Sequence, residues 1–278
     1  MLMKKQNYYA LIISFLFLSY THIPLFATDG LSFKDARSTA LGGSSAALIS
    51  FQNNASLCFK ESHGAELSCE NRYGVKELSS YSAAVHYSFP YMVVSGMFNR
   101  FGYEKYNRTM VGLGVSKQLT ATAALGLYVH YADLYQSTED GSERAITSDL
   151  SISFKFPNQI MMGIVANNFL SAFLSGNRTQ LTLPLRIRGG ISYQPTDQFL
   201  VTTEVEYLNS VGKHLIGRVG FEYIVFDVLA LRMGFLTTPL QPTFGIGYSH
   251  ASSFGIALSS SYHTTLGFSP TISAQFNF

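Results

Sequence analysis

The sequence predicts an all-β fold, an antiparallel transmembrane β-barrel of about fourteen strands with an N-terminal plug segment. Three observations predict it: an export signal opens the chain, apolar and polar residues alternate along many short segments, and the last ten residues form a two-faced strand. The apolar face of that last strand carries Ile272, Ala274, Phe276 and Phe278. A barrel strand needs two such faces because lipid contacts one and water or polar side chains contact the other.

The composition is poor in charge and rich in aromatic residues. Charged residues make up 13% of the chain and aromatic residues 14%, whereas soluble domains carry about 25% charged residues. The chain has no Trp, but its 17 Tyr and 22 Phe can supply aromatic girdles at a membrane interface. These proportions are expected when lipid contact is spread over alternating strand positions.

The first 27 residues are typical of a signal peptide. Lys4 and Lys5 precede an apolar run over residues 8–20, and the small residues that follow favour cleavage after Ala27. A retained transmembrane helix is the alternative, but this run of about 13 residues is shorter than the roughly 20 that a bilayer core requires. Cleavage removes two of the 19 basic residues and none of the 17 acidic ones, so the mature chain has zero formal charge and nothing indicates nucleic-acid binding.

Alternation at period two predicts the individual strands. They lie near residues 63–71, 79–88, 91–99, 105–117, 120–132, 143–155, 159–169, 184–194, 197–208, 213–224, 227–235, 242–250, 253–262 and 269–278. In the fifth of these, Leu127 and Val129 are predicted to face lipid while Tyr128 and His130 face the lumen. Residues 91–100 and 160–169 are apolar on both faces, so the pattern leaves their register open.

Tight turns at alternate junctions support this strand count. They are Phe89-Pro90, Gln118-Leu119, Pro157-Asn158, Pro195-Thr196 and Ala251-Ser252. The junctions between them are longer, as at residues 133–142 and 170–183. Short turns at one rim and longer loops at the other are typical of the periplasmic and extracellular ends of outer-membrane barrels, and an even strand count leaves both termini periplasmic. We therefore expect an outer-membrane location with lipid around the wall.

Charged residues distinguish a barrel from a soluble β-sandwich, the main alternative. Seven lie on the strand face opposite the apolar stripe: Arg186, Arg188, Glu204, Glu206, Arg218, Glu222 and Arg232. A sandwich core could not hold these charges, whereas a wet lumen could. They are candidates for a polar ligand site or a selectivity lining. The alternative, which the pattern favours, is a cross-strand lattice of ion pairs that rigidifies the wall.

The stretch between the signal and the barrel, residues 28–62, is too long and too mixed for a linker, and the barrel itself is predicted over residues 63–278. Gly42 and Gly43 stand among small residues, and paired glycines allow the backbone to pack closely against a wall. Asn53 and Asn54 follow in the same stretch. Because a barrel of about fourteen strands has room inside it, we expect Asp29–Ser62 to form a plug or hatch.

Two groups of motifs resemble a known family. The first runs from Ala36-Arg37-Ser38 through Leu41-Gly42-Gly43 to Ala46-Ala47-Leu48, and then covers Asn53-Asn54-Ala55-Ser56-Leu57. It resembles the opening of the PorV/PorQ-type barrels of the type IX secretion system, which are similar to the fatty-acid transporter FadL. The second covers residues 229–235, 244–248 and 261–270 and resembles Bacteroidetes members of that group. Asn54 stands where the family usually has proline.

The resemblance implies a fourteen-stranded barrel that acts in protein secretion or envelope transport. Secretion-system or exported proteins would then be partners, and loops 135–144 and 171–183 are the predicted partner surface. A FadL-like uptake channel for small hydrophobic compounds is an alternative, and a structural outer-membrane protein is another.

Other residues give little sign of chemistry. Cys58 and Cys69 are the only cysteines, and they form either a disulfide or two free thiols. Two cysteines do not predict a metal site, and we expect no cofactor. The histidines after the signal are scattered outside any nucleophile motif, so we expect rim or lumen positions for them and no enzymatic activity.

Overall fold

The computed structural model describes residues 32–60, 62–137, 142–175, 183–209, 214–250 and 253–278. Within these residues, fourteen antiparallel strands form one closed barrel. The strands are β1 (Gly64–Asn71), β2 (Ser79–Ser88), β3 (Val93–Tyr103), β4 (Tyr106–Gln118), β5 (Ala123–Gln136), β6 (Glu143–Phe156), β7 (Ile160–Ser175), β8 (Arg186–Thr196), β9 (Phe199–Leu208), β10 (His214–Val225), β11 (Leu229–Thr237), β12 (Leu240–His250), β13 (Phe254–His263) and β14 (Gly267–Asn277).

Each strand pairs with its neighbours in sequence, and β1 pairs with β14 to close the ring. In this closing pair Gly64 lies opposite Asn277 and Glu70 opposite Thr271. The predicted antiparallel barrel of fourteen strands is confirmed, and most predicted bounds agree with the structure to within a few residues. The exceptions are β3, β5 and β7, which continue to Tyr103, Gln136 and Ser175.

The extension of β7 accompanies irregular pairing with β6. The register between these strands shifts twice, between Arg144 and Ala145 and between Ser148 and Leu150. Beside the second shift, Asn168 has a positive φ of 56°, and its backbone N–H donates to Asp149 Oδ1 at 2.8 Å. A bulge of this kind bends a strand while pairing continues beyond it.

The two rims of the barrel differ in their connections. We call the rim that holds Gly64, Asn277 and the connections after even-numbered strands the turn rim, and the opposite one the loop rim. Connections at the loop rim cover residues 72–78, 104–105, 137–142, 176–185, 209–213, 238–239 and 264–266. Their lengths correct the predicted alternation, because the connections after β3 and β11 are two-residue turns. The predicted long loops are also shorter, since β5 and β7 extend into them.

The wall has an apolar outer face. On β5, Leu127 and Val129 are each 48% exposed, whereas Tyr128 and His130 between them are 3% and 1% exposed and face the lumen. The last strand follows the predicted pattern, with Ile272 and Phe276 outside. An exposed apolar band around a closed barrel is the surface that lipid covers in membrane barrels.

The two segments with open register are resolved by the structure. Val93 and Met97 on β3 are buried in the lumen, and Val94 and Phe98 face outward. On β7, Val165 is buried while Ile164 faces outward. These strands are apolar on both faces because their inner faces pack against other side chains within the barrel rather than against water.

Residues 32–60, which we call the N-terminal segment, lie inside the barrel. A short helix, α1 (Ala36–Ala40), begins after Asp35, whose carboxylate accepts the backbone N–H of Ser38 at 2.7 Å. A 3₁₀-helix follows over Asn54–Phe59. Two more 3₁₀-helices, Arg72–Gly74 and Lys76–Leu78, occupy the β1–β2 connection.

No helix in the described ranges is long and apolar enough to cross a membrane. The predicted signal peptide, residues 1–27, lies outside the described residues, as does Thr28, the predicted first residue after cleavage. The C-terminal end lies at the turn rim, where His63 and Phe278 exchange backbone hydrogen bonds of 3.1 Å.

Candidate functional site

The seven charged residues predicted to face the lumen are inward-facing on β8 to β11. Strand pairing places Arg188 opposite Glu206, Arg218 opposite Glu204 and Glu222 opposite Arg232. The side chains form two groups. We call the group on β8 to β10 the central ion cluster, and its members are Arg186, Arg188, Glu204, Glu206 and Arg218. The second group contains Glu222 and Arg232.

Arg218 holds the central ion cluster together. Its Nη1 donates to Glu204 Oε1 at 2.9 Å and its Nη2 to Glu206 Oε2 at 2.5 Å. Arg186 Nε lies 3.3 Å from Glu206 Oε1. Both carboxylates are almost fully buried. Buried charges of this kind are stable only when they are paired and hydrogen-bonded, which these contacts achieve.

The second group joins the wall to the N-terminal segment. Glu222 accepts hydrogen bonds from Arg37 of α1, from Nε at 2.9 Å and from Nη2 at 2.8 Å. It also accepts one from Arg232 Nε on the neighbouring strand at 2.5 Å. The Glu222 carboxylate raises the pKa of Arg37 above its ordinary value, so the guanidinium stays charged.

The central ion cluster also binds the segment. Glu204 Oε2 accepts the backbone N–H groups of Ser45 and Ala46 at 2.8 and 2.7 Å. Arg188 donates to the Ser45 hydroxyl and to the backbone carbonyl of Gln52, the latter at 3.1 Å. The cross-strand ion pairs expected from the sequence are therefore present, and in addition they hold the N-terminal segment.

The sequence did not reveal that second role. The strand set has four arginines and three glutamates, but the segment does not balance the difference. It offers Arg188 only hydroxyl and carbonyl oxygens and adds a further cation, Arg37, at Glu222. A count of charges on the strands therefore does not reveal a partner inside the barrel.

The segment residues singled out from the sequence all touch the wall. Gly42 and Gly43 have φ values of 74° and 81°, and Gly42 N–H donates to Thr243 Oγ1 at 3.0 Å. Asn53 Nδ2 donates to Ser153 Oγ at 2.8 Å. A Cβ at Gly42 would lie 2.7 Å from the carbonyl oxygen of Phe235, so the backbone approaches the wall too closely for a side chain.

Asn54 binds the backbone of the wall directly. Its Nδ2 donates to the carbonyl oxygens of Val115 at 3.1 Å and Leu127 at 3.0 Å, on the neighbouring strands β4 and β5. Its Oδ1 accepts the Ser95 hydroxyl at 2.8 Å. Asn54 is 2% exposed. A proline, which the resembling family usually has here, has no side-chain groups that could form these bonds.

The segment passes around the lumen in the reverse order of the strands. Its successive wall partners are Ser273 on β14, Thr243 on β12, Glu204 on β9, Ser192 on β8, Ser153 on β6 and Val115 on β4. Inward glycines leave space along this track: a Cβ on Gly163 would overlap the carbonyl oxygen of Ala46, and one on Gly220 would lie 2.7 Å from Leu41. The segment therefore contacts most of the circumference.

The side of the lumen formed by β2 to β6 holds a cluster of apolar side chains from these strands and from the N-terminal segment, flanked by buried polar side chains such as His86, Asn99 and His130. The buried residues of this cluster, which we call the apolar column, are Phe33, Phe51, Leu57, Ala84, Val93, Met97, Met110, Tyr128, Ala132, Leu134 and Ala145. Tyr106 and Leu183 pack against it near the loop rim, and Cys58 packs against it near the turn rim. The lumen thus has one side on which ion pairs anchor the segment, and another on which an apolar cluster extends between the rims beside buried Arg108, His130 and Glu143.

The two cysteines are free thiols. Cys58 lies inside the barrel, whereas Cys69 is on the outer face of β1, on the same side as the exposed Leu67. The wall separates the two residues, which is why the disulfide considered from the sequence does not form here. Burial raises the pKa of the Cys58 thiol.

The histidines occupy rim and lumen positions in the described part of the chain. His86, His130 and His263 are buried, and His130 Nε2 lies 3.0 Å from Asp149 Oδ2 in the lumen. No group of three or more His, Cys, Asp or Glu side chains among the described residues could hold a metal ion.

Much of the predicted partner surface, loops 135–144 and 171–183, lies outside the described residues.

Comparison with known proteins shows a shared fold. No protein-family model matches the chain, and no curated protein sequence matches it. Among solved structures, the monoaromatic hydrocarbon channel CymD matches with a TM-score of 0.65 and 12% identity, over 91% of this chain and 99% of CymD. The toluene transporter TodX of Pseudomonas putida matches with a TM-score of 0.63 and 13% identity, over 91% and 99%. At these identities the likeness is one of fold, and the fold is that of outer-membrane channels.

Proposed function

We propose that this chain is an outer-membrane channel for small apolar compounds, which cross along the apolar column. The observation that carries the proposal is the apolar column itself, whose contacting side chains reach from one rim towards the other, in a barrel whose opposite side holds buried ion pairs. CymD and TodX, which share the fold, are a monoaromatic hydrocarbon channel and a toluene transporter. The turn rim faces the periplasm in this proposal, as in barrels with short periplasmic turns.

The chemistry of the column suits an apolar solute better than a hydrated one. A sugar or an ion would lose its hydration among Ala132, Ala145 and Leu134, and these side chains offer no hydrogen bonds in return. Met97 and Met110 line the middle of the column. Methionine side chains are unbranched and change rotamer readily, so they can move aside for a small ligand.

The N-terminal segment acts as the plug in this proposal. Polar contacts fix it to β8, β9, β10, β12 and β14, and it meets the apolar column through Phe33, Phe51 and Leu57. Hydrated ions are therefore excluded, while apolar solutes pass between the segment and the wall. Deletion of residues 32–60 should raise conductance in planar bilayers, and unchanged conductance would reject the plug assignment.

Uptake by whole cells tests the proposal. Initial uptake of radiolabelled toluene is measured in a Gram-negative host that lacks its own hydrocarbon channels, with and without this chain. Ala145→Leu adds bulk to a fully buried position of the column and should abolish the gain in uptake. Ser261→Leu, an inward position on β13 away from the column, is the matched control. Equal uptake with and without the chain would reject the proposal.

A secretion role is the second candidate, supported by the PorV/PorQ-like motif of the N-terminal segment. The motif residues Gly42, Asn53 and Asn54 are those that contact the wall, so the resembling stretch coincides with a specialised part of the molecule. Proteomics of the medium and cell surface, in the native host with and without the gene, tests this role. Loss of a set of exported proteins that share a C-terminal domain would favour secretion, and an unchanged set would exclude it.

A further inference from the structure

A cavity of about 340 Å³ opens at the turn rim, between the β2–β3 and β4–β5 connections. We call it the rim notch. Its lining includes Cys58 of the N-terminal segment, Met92 and Val93 at the start of β3, Lys117 at the end of β4, and Leu119 in the following turn. Small-molecule sites in proteins have volumes of about 300–1,000 Å³, so the notch has the size of a small ligand.

The rim notch is continuous with the apolar column. Val93 belongs to both, and Cys58 lines the notch while packing against the column. Leu57, the residue before Cys58, is a buried member of the column. A compound at the turn-rim end of the column is therefore in contact with residues that also line the notch.

The notch also connects the inside of the barrel with its outer edge. Cys58 lies in the lumen, whereas Lys117 is on the outward face of β4, in line with the exposed Val115. Phe89 and Leu119 leave 48% and 61% of their surfaces exposed beside the opening. Exposed apolar side chains grouped at an opening are a feature of sites that bind apolar partners.

Release of an apolar compound on the opposite, charged side of the lumen would be less favourable. There Glu204, Arg188 and Glu222 bind the N-terminal segment. A compound leaving on that side would have to separate buried ion pairs, whereas the notch is lined by apolar side chains, one thiol and the polar side chains of Lys117, Gln118 and Thr120.

We propose that the rim notch is the exit site of the channel, where a small apolar compound binds after it leaves the column. This inference rests on the proposed channel function and adds the place and the residues of release. Cys58 marks the inner wall of the site. Phe89, Met92 and Leu119 supply its apolar surface, and Lys117 marks its outer edge.

Cys58 provides the reporter for the test. In a Cys69→Ser background it is the only thiol of the mature chain, and labelling of the purified full-length barrel by N-ethylmaleimide is measured at mildly alkaline pH. Naphthalene should protect Cys58 from labelling. Ala121→Trp, in a turn that lines the notch, should block both labelling and toluene uptake by cells. Gln198→Trp, in the exposed β8–β9 turn, is the matched control and should change neither.

A second measurement does not depend on a substitution in the notch. Treatment of the Cys69→Ser cells with benzyl methanethiosulfonate converts Cys58 into a benzyl disulfide that fills the site. Uptake of toluene should be lost and should return when dithiothreitol restores the thiol. Cys58→Ser in the same background should be insensitive to the reagent.

The outcomes separate the two proposals. If Ala145→Leu abolishes uptake while Ala121→Trp and Cys58 modification leave it unchanged, the channel stands and the exit site is wrong. If naphthalene fails to protect Cys58, the notch is not a binding site. If the chain confers no uptake at all, the channel proposal itself fails, whatever the labelling shows.

Discussion

Glu204 is the residue whose loss should most directly loosen the N-terminal segment. It is 2% exposed, and its Oε2 accepts the backbone N–H groups of Ser45 and Ala46 at 2.8 and 2.7 Å. Its Oε1 accepts Arg218 Nη1 at 2.9 Å. The substitution Glu204→Gln preserves the size of the side chain but removes the charge and places amide hydrogens next to Arg218 or next to the two backbone donors.

The size of the effect follows from these contacts. Removal of one partner from a buried ion pair costs about 3–5 kcal/mol. Glutamine keeps one oxygen that can still accept the two backbone N–H groups, so we expect the lower end of that range, about 3 kcal/mol. Because every 1.4 kcal/mol corresponds to a factor of about ten, local opening of the segment at Ser45 and Ala46 should become about a hundredfold more frequent.

Hydrogen exchange of the two amides measures this opening. In the folded barrel, protection of Ser45 and Ala46 should fall by about a hundredfold in Glu204→Gln, while amides of the β1–β14 pair keep their protection. Asp133→Asn is the control, because it removes the charge from an exposed pair with Arg144, which contributes about 0–1 kcal/mol.

Two results would refute the reasoning. Unchanged protection of Ser45 and Ala46 would mean that the carboxylate does not anchor the segment. A uniform loss of protection across the barrel would mean that Glu204 supports the wall rather than the segment, so the charged side would be a lattice of the wall alone.

Three further predictions concern the segment. Gly163→Ala should lower the temperature at which the barrel loses its heat-modifiable gel mobility, because the new Cβ overlaps the Ala46 carbonyl oxygen. Gly189→Ala is the control, because a Cβ at that position has no other atom within 4 Å, and it should have no such effect. Asp35→Ala removes the N-cap of α1 and should cost about 0.5–2 kcal/mol in exchange protection of the α1 amides; an unchanged pattern would contradict the cap. In Cys69→Ser, bimane should label Cys58 at neutral pH more slowly than it labels a fully exposed thiol, and the rate should increase as pH rises, because burial raises the pKa of Cys58. Equal labelling rates for Cys58 and an exposed thiol would contradict this.

The strands could be predicted because lipid imposes one rule on every outer face. Leu127, Val129, Ile272 and Phe276 all face outward, and a period of two in such residues is visible without a structure. The same reasoning placed Glu204 and its neighbours in the lumen, since a membrane-facing carboxylate would be costly. The fold, and the side of the wall to which each side chain points, therefore follow from the solvent on each side of the wall.

The contents of the lumen could not be predicted in the same way. Val93 and Met97 are apolar although they face inward, because their partner is the N-terminal segment rather than water. The two carbonyl bonds of Asn54 depend on strands β4 and β5, which lie 61 and 73 residues further along the chain. Such contacts depend on three-dimensional placement, and local periodicity carries no information about them.

The path of the N-terminal segment has a consequence for assembly. The backbone N–H of Ala36 donates a hydrogen bond to the hydroxyl of Ser273, 237 residues away. The backbone N–H of Gly42 donates one to the hydroxyl of Thr243, 201 residues away. These wall positions belong to the last strands to be synthesised, so the segment emerges first and gains its final contacts last. Contacts between such distant residues slow folding because long loops must close first. The segment therefore cannot complete its contacts with the wall until β12 and β14 have been synthesised, so the order of synthesis separates the two halves of this interface by most of the chain.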